Sequence, residues 1–200
     1  MKIPFNPSKP VATQYVNLSP VILVTTVNSR GIPNVAPKTQ ATPIGRKGEF
    51  FMFACTPEHN TYHNIKATKE FVVNFPTQEI IAEVGMAASV FDDKDKDKIS
   101  LLGLTSIPSL KVRPPRISEC SIHLECELME IRDYSEYGLI VGKVVAASGN
   151  EEIVLQQGTT TDLVSQNLSK NPLLVYITPG QHLATIANCK KFPLPEKYKS

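Results

Sequence analysis

Thr56, His59, Asn60 and Thr61 bring two hydroxyls, an imidazole and an amide together within one short stretch of chain. They follow the apolar run Phe50–Ala54, which reads as a buried strand. They lead into a segment in which Tyr62 and Ile65 share one helical face. Thr56 before Pro57, and then Asn60 and Thr61, are helix-opening signals. The first turn of a helix has N–H donors without intrahelical partners, so the chemistry on offer is anion binding, with phosphate the usual guest. An ordinary capped helix would use the same residues. Asn34, Lys38 and Thr39, from an earlier hairpin, could complete a polar cradle if the two segments meet. Phosphate would then sit at the helix start, and backbone beyond Asn34 would lie along a flat ring. Pro37 cannot donate to a strand ladder, so it marks an edge, a bulge or an opening in the sheet.

Other chemistries find less support. Cys55 lies near His59 and His63, but it ends an apolar strand, where a buried inert thiol is the ordinary state. His59 and His63 stand four apart, yet H-N-T-Y-H lacks the glutamate of the zinc-protease helix, and no metal site is expected. The chain has no G-x-S-x-G elbow, no G-x-G-x-x-G and no Walker loop. Any nicotinamide cofactor would therefore bind transiently. The run D-D-K-D-K-D-K (Asp92–Lys98) lacks the central glycine and closing glutamate of a calcium loop. It reads as a solvated turn that starts a short helix through Ile99, Leu101 and Leu102 and stops at Gly103.

The 200 residues fit one domain spanning 1–200, with an irregular Pro-rich arm over 1–19 and a loose tail over 190–200. A hydrophobic fraction of 42% with 20% charged residues is a globular balance. The net charge of +2 is spread in mixed signs, which argues against a nucleic-acid track. No apolar run approaches the roughly 18 residues of a membrane span, and the first residues do not read as a signal peptide. With no secretion signal, Cys55, Cys120, Cys126 and Cys189 are expected as reduced thiols in a cytoplasm.

Along the chain, Val21–Val27 is a buried strand, and Asn28–Gly31 turns it into Asn34–Gln40, a hairpin. Gly45–Gly48 is a turn into the Phe50 strand, and Phe71–Phe75 is another strand. Gln78–Phe91 has helical spacing. Residues 104–119 are a Pro-rich connection. In Cys120–Leu128 the alternation turns Cys120, Ile122, Leu124, Cys126 and Leu128 inward and Ser121, His123, Glu125 and Glu127 outward. Cys120 and Cys126 would then share a face, too far apart to bridge. Met129 and Ile131 reverse the phase, so a bulge is expected near Leu128. A turn through Asp133–Gly138 leads to the strand Leu139–Ala147, and Val164–Leu168 is weakly helical before the strand Leu173–Ile177. Sixteen prolines and about six strands with a few short helices suggest a mainly β, α+β fold, an antiparallel barrel or sandwich with helices on its rim.

The chain resembles the flavin reductase-like family, and within it the flavoredoxin-type branch. The pieces that carry the likeness are P-V-I-L-V-T-T-V (Pro20–Val27), G-I-P-N-V-A-P-K-T (Gly31–Thr39), T-Y-H-N-I (Thr61–Ile65) and E-F-V-V-N-F (Glu70–Phe75). P-P-R-I-S-E-C (Pro114–Cys120), L-E-C-E-L (Leu124–Leu128) and L-I-V-G-K-V (Leu139–Val144) follow in the family's order. The resemblance implies an antiparallel, Greek-key FMN-binding split β-barrel that forms a homodimer. It implies that Asn34, Val35, Ala36, Pro37, Lys38 and Thr39 face the isoalloxazine. Cys55, Thr56, His59, Asn60 and Thr61 would form the phosphate-binding turn. Family members often carry Arg or Lys where this chain has His59, whose charge depends on pH. His182 is the histidine that could correspond to a family residue near the nicotinamide; a surface histidine is the plainer reading. The implied activity passes electrons from a donor such as NAD(P)H through FMN to a flavin or another small-molecule acceptor. An FMN-holding electron carrier and a flavin-free dimeric scaffold are the competing readings.

Overall fold

A computed structural model of the chain describes residues 18–45, 48–88, 94–151, 173–177 and 182–186. Strands β1 (Leu18–Pro20), β2 (Ile22–Val27), β3 (Pro33–Lys38), β4 (Ala41–Ile44) and β5 (Phe50–Cys55) come first. Helix α1 (Asn60–Thr68) crosses to β6 (Glu70–Pro76). A 3-10 turn over Gln78–Ile80, α2 (Ile81–Ala87) and α3 (Lys98–Leu101) follow. Then come the two-residue strands β7 (Ser106–Ile107) and β8 (Arg116–Ile117), the long hairpin β9 (Cys120–Tyr134) and β10 (Tyr137–Gly149), and finally β11 (Leu173–Ile177) and β12 (His182–Ile186).

Seven of these strands form one antiparallel sheet in the order β3-β2-β6-β9-β10-β5-β4. The sheet curls, and the Ala54 N–H reaches the Gln40 carbonyl at 2.9 Å. This is the curled half-barrel expected of a split-barrel protein. The strand β2 is buried along its whole length because its two faces feed two cores. Ile22 and Val24 join Phe51, Phe53, Tyr62, Ile65, Phe71 and Ile140 inside the curl. Val21 and Leu23 join Val35, Val84, Ile99, Ile117 and Leu174 on the other face. Inside the curl Phe53 meets Phe71 edge-on with centroids 5.4 Å apart. Gly142 is required there, since a Cβ on it would stand 2.3 Å from the Phe71 ring.

Several expectations change. The structure buries Ser121, His123 and Glu125, three of the four residues expected to face out; Glu127 alone is exposed. Residues 104–117 fold over that face and bring backbone donors with them. Leu110 and Lys111 N–H groups donate to the Glu125 carboxylate at 2.7–3.0 Å, and Arg116 Nε stands 3.8 Å from it. His123 Nε2 lies 2.8 Å from the Ile117 carbonyl, and the Ile117 N–H donates to Asn74 Oδ1 at 3.0 Å. Cys120 and Cys126 do not share a face. Opposite Phe75 and Pro76 the β9 register skips Ser121, and this bulge turns Cys120 into the outer core while Cys126 stays in the inner one. The second bulge, at Met129, falls where the phase reversal put it.

The Gln78 segment is a 3-10 turn followed by a helix that ends at Ala87, with Ile80, Val84 and Ala87 buried and Ile81 exposed. Leu18 and Ser19 lie in β1, paired with β11, so the arm is not irregular to residue 19. Asp97 caps α3 by accepting from the Ile99 and Ser100 N–H groups, and Gly103 closes it at φ 73°. Residues 1–17, the 46–47 turn, Phe91, Asp92, Asp93, the Val164–Leu168 helix, Cys189 and the 190–200 tail lie outside the described residues.

Glu125 is fully buried and accepts from two backbone N–H groups. Replacing it with alanine strands those donors and is expected to cost about 2–4 kcal/mol, read as a lower urea midpoint. A shift below about 0.5 kcal/mol would contradict this role for the carboxylate.

Candidate functional site

The edge strand β3 and the start of α1 converge as their pairing requires. Asn34, Ala36 and Lys38 sit opposite Thr26, Val24 and Ile22, and so share the face that lines the inside of the curl. Helix α1 enters that mouth with Thr61, Tyr62, Asn64 and Ile65 buried. Asn34 Nδ2 donates to Thr61 Oγ1 at 3.3 Å, and Lys38 Nζ lies 3.5 Å from His59 Nδ1. The Cys55 thiol at the end of β5 lies near enough for it and Lys38 to shift each other's protonation. Asn34, Lys38, Cys55, His59 and Thr61 thus form one cluster. Ala36, Pro37, Thr39, Thr56 and Asn60 lie half-buried around it.

Two residues differ in detail from the sequence reading, and the role expected of a third lies outside what is described. Thr56 is not the helix cap; its carbonyl accepts from the His59 N–H at 3.1 Å, and α1 begins after His59. The Val35 side chain is in the outer core, so only its backbone can meet a ligand. His182 is the first residue of β12, paired with Ile177, and its side chain lies outside what is described.

The electrostatics of the cluster favour an anion. His59 at the N-cap makes no side-chain cap to the first turn, and that turn contains no acidic residue. The first N–H groups of α1 therefore carry the positive end of the helix dipole without a built-in anion. Lys38 is only 8% exposed. Burial holds its ammonium pKa below the usual lysine value, while the nearby Cys55 thiol works in the opposite direction. Burial pushes the Cys55 thiol up, and Lys38 partly offsets that. Such a thiol stays protonated and unreactive, as its place at the end of an apolar strand implies. A buried cation beside uncapped N–H donors fits a phosphate such as a flavin nucleotide carries. Among the described residues β3, with Pro33 and Pro37 in it, is an edge strand, so its outer backbone is open there to a flat ring.

Beside the cluster lies a cleft of about 320 Å³ between the β2–β3 turn, α1 and the loop before α3. Asn34 and Asn60 line both it and the cradle. Arg30, Lys94 and Lys96 on its rim were not among the sequence-derived site residues. The two lysines belong to the charged run that reads as a solvated turn. A basic spacing shared with Arg30 was the signal available there, but only the fold brings the segments together.

Residues 17–178 match the family described as "Flavin reductase like domain". The chain belongs to that family. A relative from Methanothermobacter thermautotrophicus, itself uncharacterized, is 32% identical over 178 residues, covering 86% of this chain and 82% of its own. Among solved structures, the 2-nitrobenzoate 2-nitroreductase NbaA of Pseudomonas fluorescens overlays with a TM-score of 0.80 at 23% identity, covering 95% of this chain and 91% of that one. The flavoredoxin of Desulfovibrio vulgaris (Miyazaki F) overlays with a TM-score of 0.76 at 16% identity, covering 98% and 99%. At these identities the overlays establish the split-barrel fold, and the family match makes the chain a flavin-related oxidoreductase type.

A lysine whose folded-state pKa is depressed costs stability while it is charged. That cost is relieved as pH rises through the folded value toward 10.5. Lys38→Met in the flavin-free protein is therefore expected to raise the melting temperature at pH 7 by a few degrees, with the gain shrinking at alkaline pH. A lower melting temperature at pH 7 would show that the buried ammonium is already compensated.

Proposed function

We propose that the chain is an FMN-dependent oxidoreductase of the flavin reductase type, taking electrons from NAD(P)H and handing them to a second flavin or another small-molecule acceptor. The observation that carries this is the buried Lys38 ammonium facing an uncapped helix start that holds no acidic residue in its first turn. Lys38, His59 and the first N–H groups of α1 would hold the phosphate. Thr61 fixes Asn34 by accepting its amide N–H, and the segment Asn34–Thr39 would supply backbone donors to the ring. Bound FMN supplies the hydride and electron chemistry, so no side chain need act as an obligatory acid or base. His182 is the residue proposed to stand near the nicotinamide.

The protein works as one unit over residues 1–200, as a homodimer and in a cytoplasm, without nucleic-acid or membrane partners. Cys55, Cys120 and Cys126 are buried free thiols, in keeping with a reducing compartment. No helix among the described residues is long and apolar enough to cross a membrane. The alternative, an FMN-holding electron carrier without nicotinamide turnover, draws on the overlay with flavoredoxin.

Anaerobic mixing of the FMN-loaded protein with NADH and NADPH separates the two. Prompt bleaching of the flavin band is the expected result. A stable oxidised spectrum would leave the carrier reading, and protein that takes up no flavin would overturn both. Thr61→Ala is expected to weaken FMN binding roughly tenfold, through loss of the Asn34 anchor at the helix start.

A further inference from the structure

The strap over the outer face, residues 110–117, is held at both ends and in the middle. At one end the Leu110 and Lys111 N–H groups donate to the Glu125 carboxylate. In the middle Arg113 grips the last turn of α1. Its Nη2 donates to the Thr68 carbonyl at 3.0 Å and its Nε to Glu70 Oε2 at 2.7 Å. At the far end the Ile117 N–H donates to Asn74 Oδ1, and the Ile117 carbonyl stands 2.8 Å from His123 Nε2. Among these partners imidazole is the group that ordinarily titrates near neutral pH.

His123 is only 4% exposed. A carbonyl can only accept, so His123 Nε2 carries a hydrogen. His123 Nδ1 lies 3.4 Å from Ser148 Oγ, and Arg116 Nη1 donates to that same oxygen at 2.8 Å. The Ser148 hydroxyl hydrogen is then left for Nδ1, which accepts it while the ring is neutral. Arg116, Ser148, His123 and Ile117 thus form one chain of donors and acceptors, from the strap through β10 and β9 and back to the strap. A proton on Nδ1 would set donor against donor and place a second positive charge beside the Arg116 guanidinium. The charges facing His123 are Arg116 from the strap and Glu125 from its own strand, while β6 and β10 oppose it with the neutral Asn74 and Ser148. Burial holds the His123 pKa below the usual histidine value and Arg116 adds to this, with the Ile117 carbonyl and Glu125 offsetting part of it.

We propose that His123 is an acid-sensitive latch for the strap: neutral, it closes the Arg116–Ile117 end onto β9 and β10, and protonated, it lets that end go. The strap then swings on its Glu125 anchor, and the grip of Arg113 on the last turn of α1 loosens with it. The sign follows from the lowered pKa. The latch contributes stability above the ordinary value of 6.5, and this is lost as pH falls through the folded value.

The test is amide hydrogen exchange of the full chain between about pH 7.5 and about pH 5, corrected for the intrinsic pH dependence of exchange, alongside an NMR titration of the His123 ring. The strap and the last turn of α1 are expected to exchange about tenfold faster at the acid end, with a midpoint that matches the ring's and lies below 6.5. In His123→Gln, whose amide can donate to Ile117 but does not titrate, this pH dependence should vanish. Exchange that stays constant in either segment would overturn the proposal. So would a ring that titrates at the ordinary value or above, or a variant that keeps the wild-type pH dependence. If the variant does not fold, the agreement of the two wild-type midpoints decides, and midpoints that differ by a pH unit or more overturn the latch.

Discussion

An ammonium group kept out of water is the constraint around which this molecule makes sense. Lys38 ends the edge strand β3 on the inner face of the curl, opposite Ile22, where a methyl or methylene group would pack without penalty. Burial works against its charge, and the Cys55 thiol gives only partial relief. The helix next to it starts without a side-chain cap and without an acidic residue in its first turn. Each feature is unfavourable alone. Together they describe a place completed by an anion, which would be neutralised by Lys38 and hydrogen-bonded by α1. Stability given up in the free protein is recovered when the anion binds.

The remainder of the fold keeps those two pieces in register. Because β2 is buried on both faces, it cannot slide against β3 without exchanging its two apolar sets. Phe71 fills the space above Gly142 and fixes how β10 lies behind β9. Tyr62, buried in the inner core, donates to Asp133 at 2.9 Å and ties α1 to the far end of the long hairpin. On the outer face, Glu125 and Asn74 hold residues 110–117 by their backbone N–H groups, and the second core closes beneath them. The site is thus built on strand pairing and a seated helix rather than on mobile loops.

Much of this was legible in the sequence because apolar periodicity and turn residues act locally. The β2–β3 hairpin, the Phe50 strand, α1, the Asp97-capped helix and the Met129 bulge all follow from nearest-neighbour chemistry. Asn34, Lys38, His59 and Thr61 were candidates by residue type alone, the family likeness added Cys55, and the fold brings them together. What failed to show was long-range. Nothing in the alternation of β9 reveals that residues 104–117 will cover Glu125 and His123. One skipped residue at Ser121 sends Cys120 to the other core. The cap at α1 was misplaced because Thr56 looks like a cap, while its carbonyl, and not its hydroxyl, makes the turn. Arg30, Lys94 and Lys96 meet only across the fold, and a charged run read alone looks solvated.

The direct test of the buried-cation account is the affinity gap between FMN and riboflavin, which differ only by the phosphate. Both are titrated, by quenching of flavin fluorescence, into wild-type apoprotein and into the Lys38→Met variant. The account predicts FMN at least about a hundredfold tighter than riboflavin in the wild type, some 3 kcal/mol, and a gap that largely closes in the variant. Equal affinities for the two flavins in the wild type, or a gap untouched by loss of the ammonium, would contradict it.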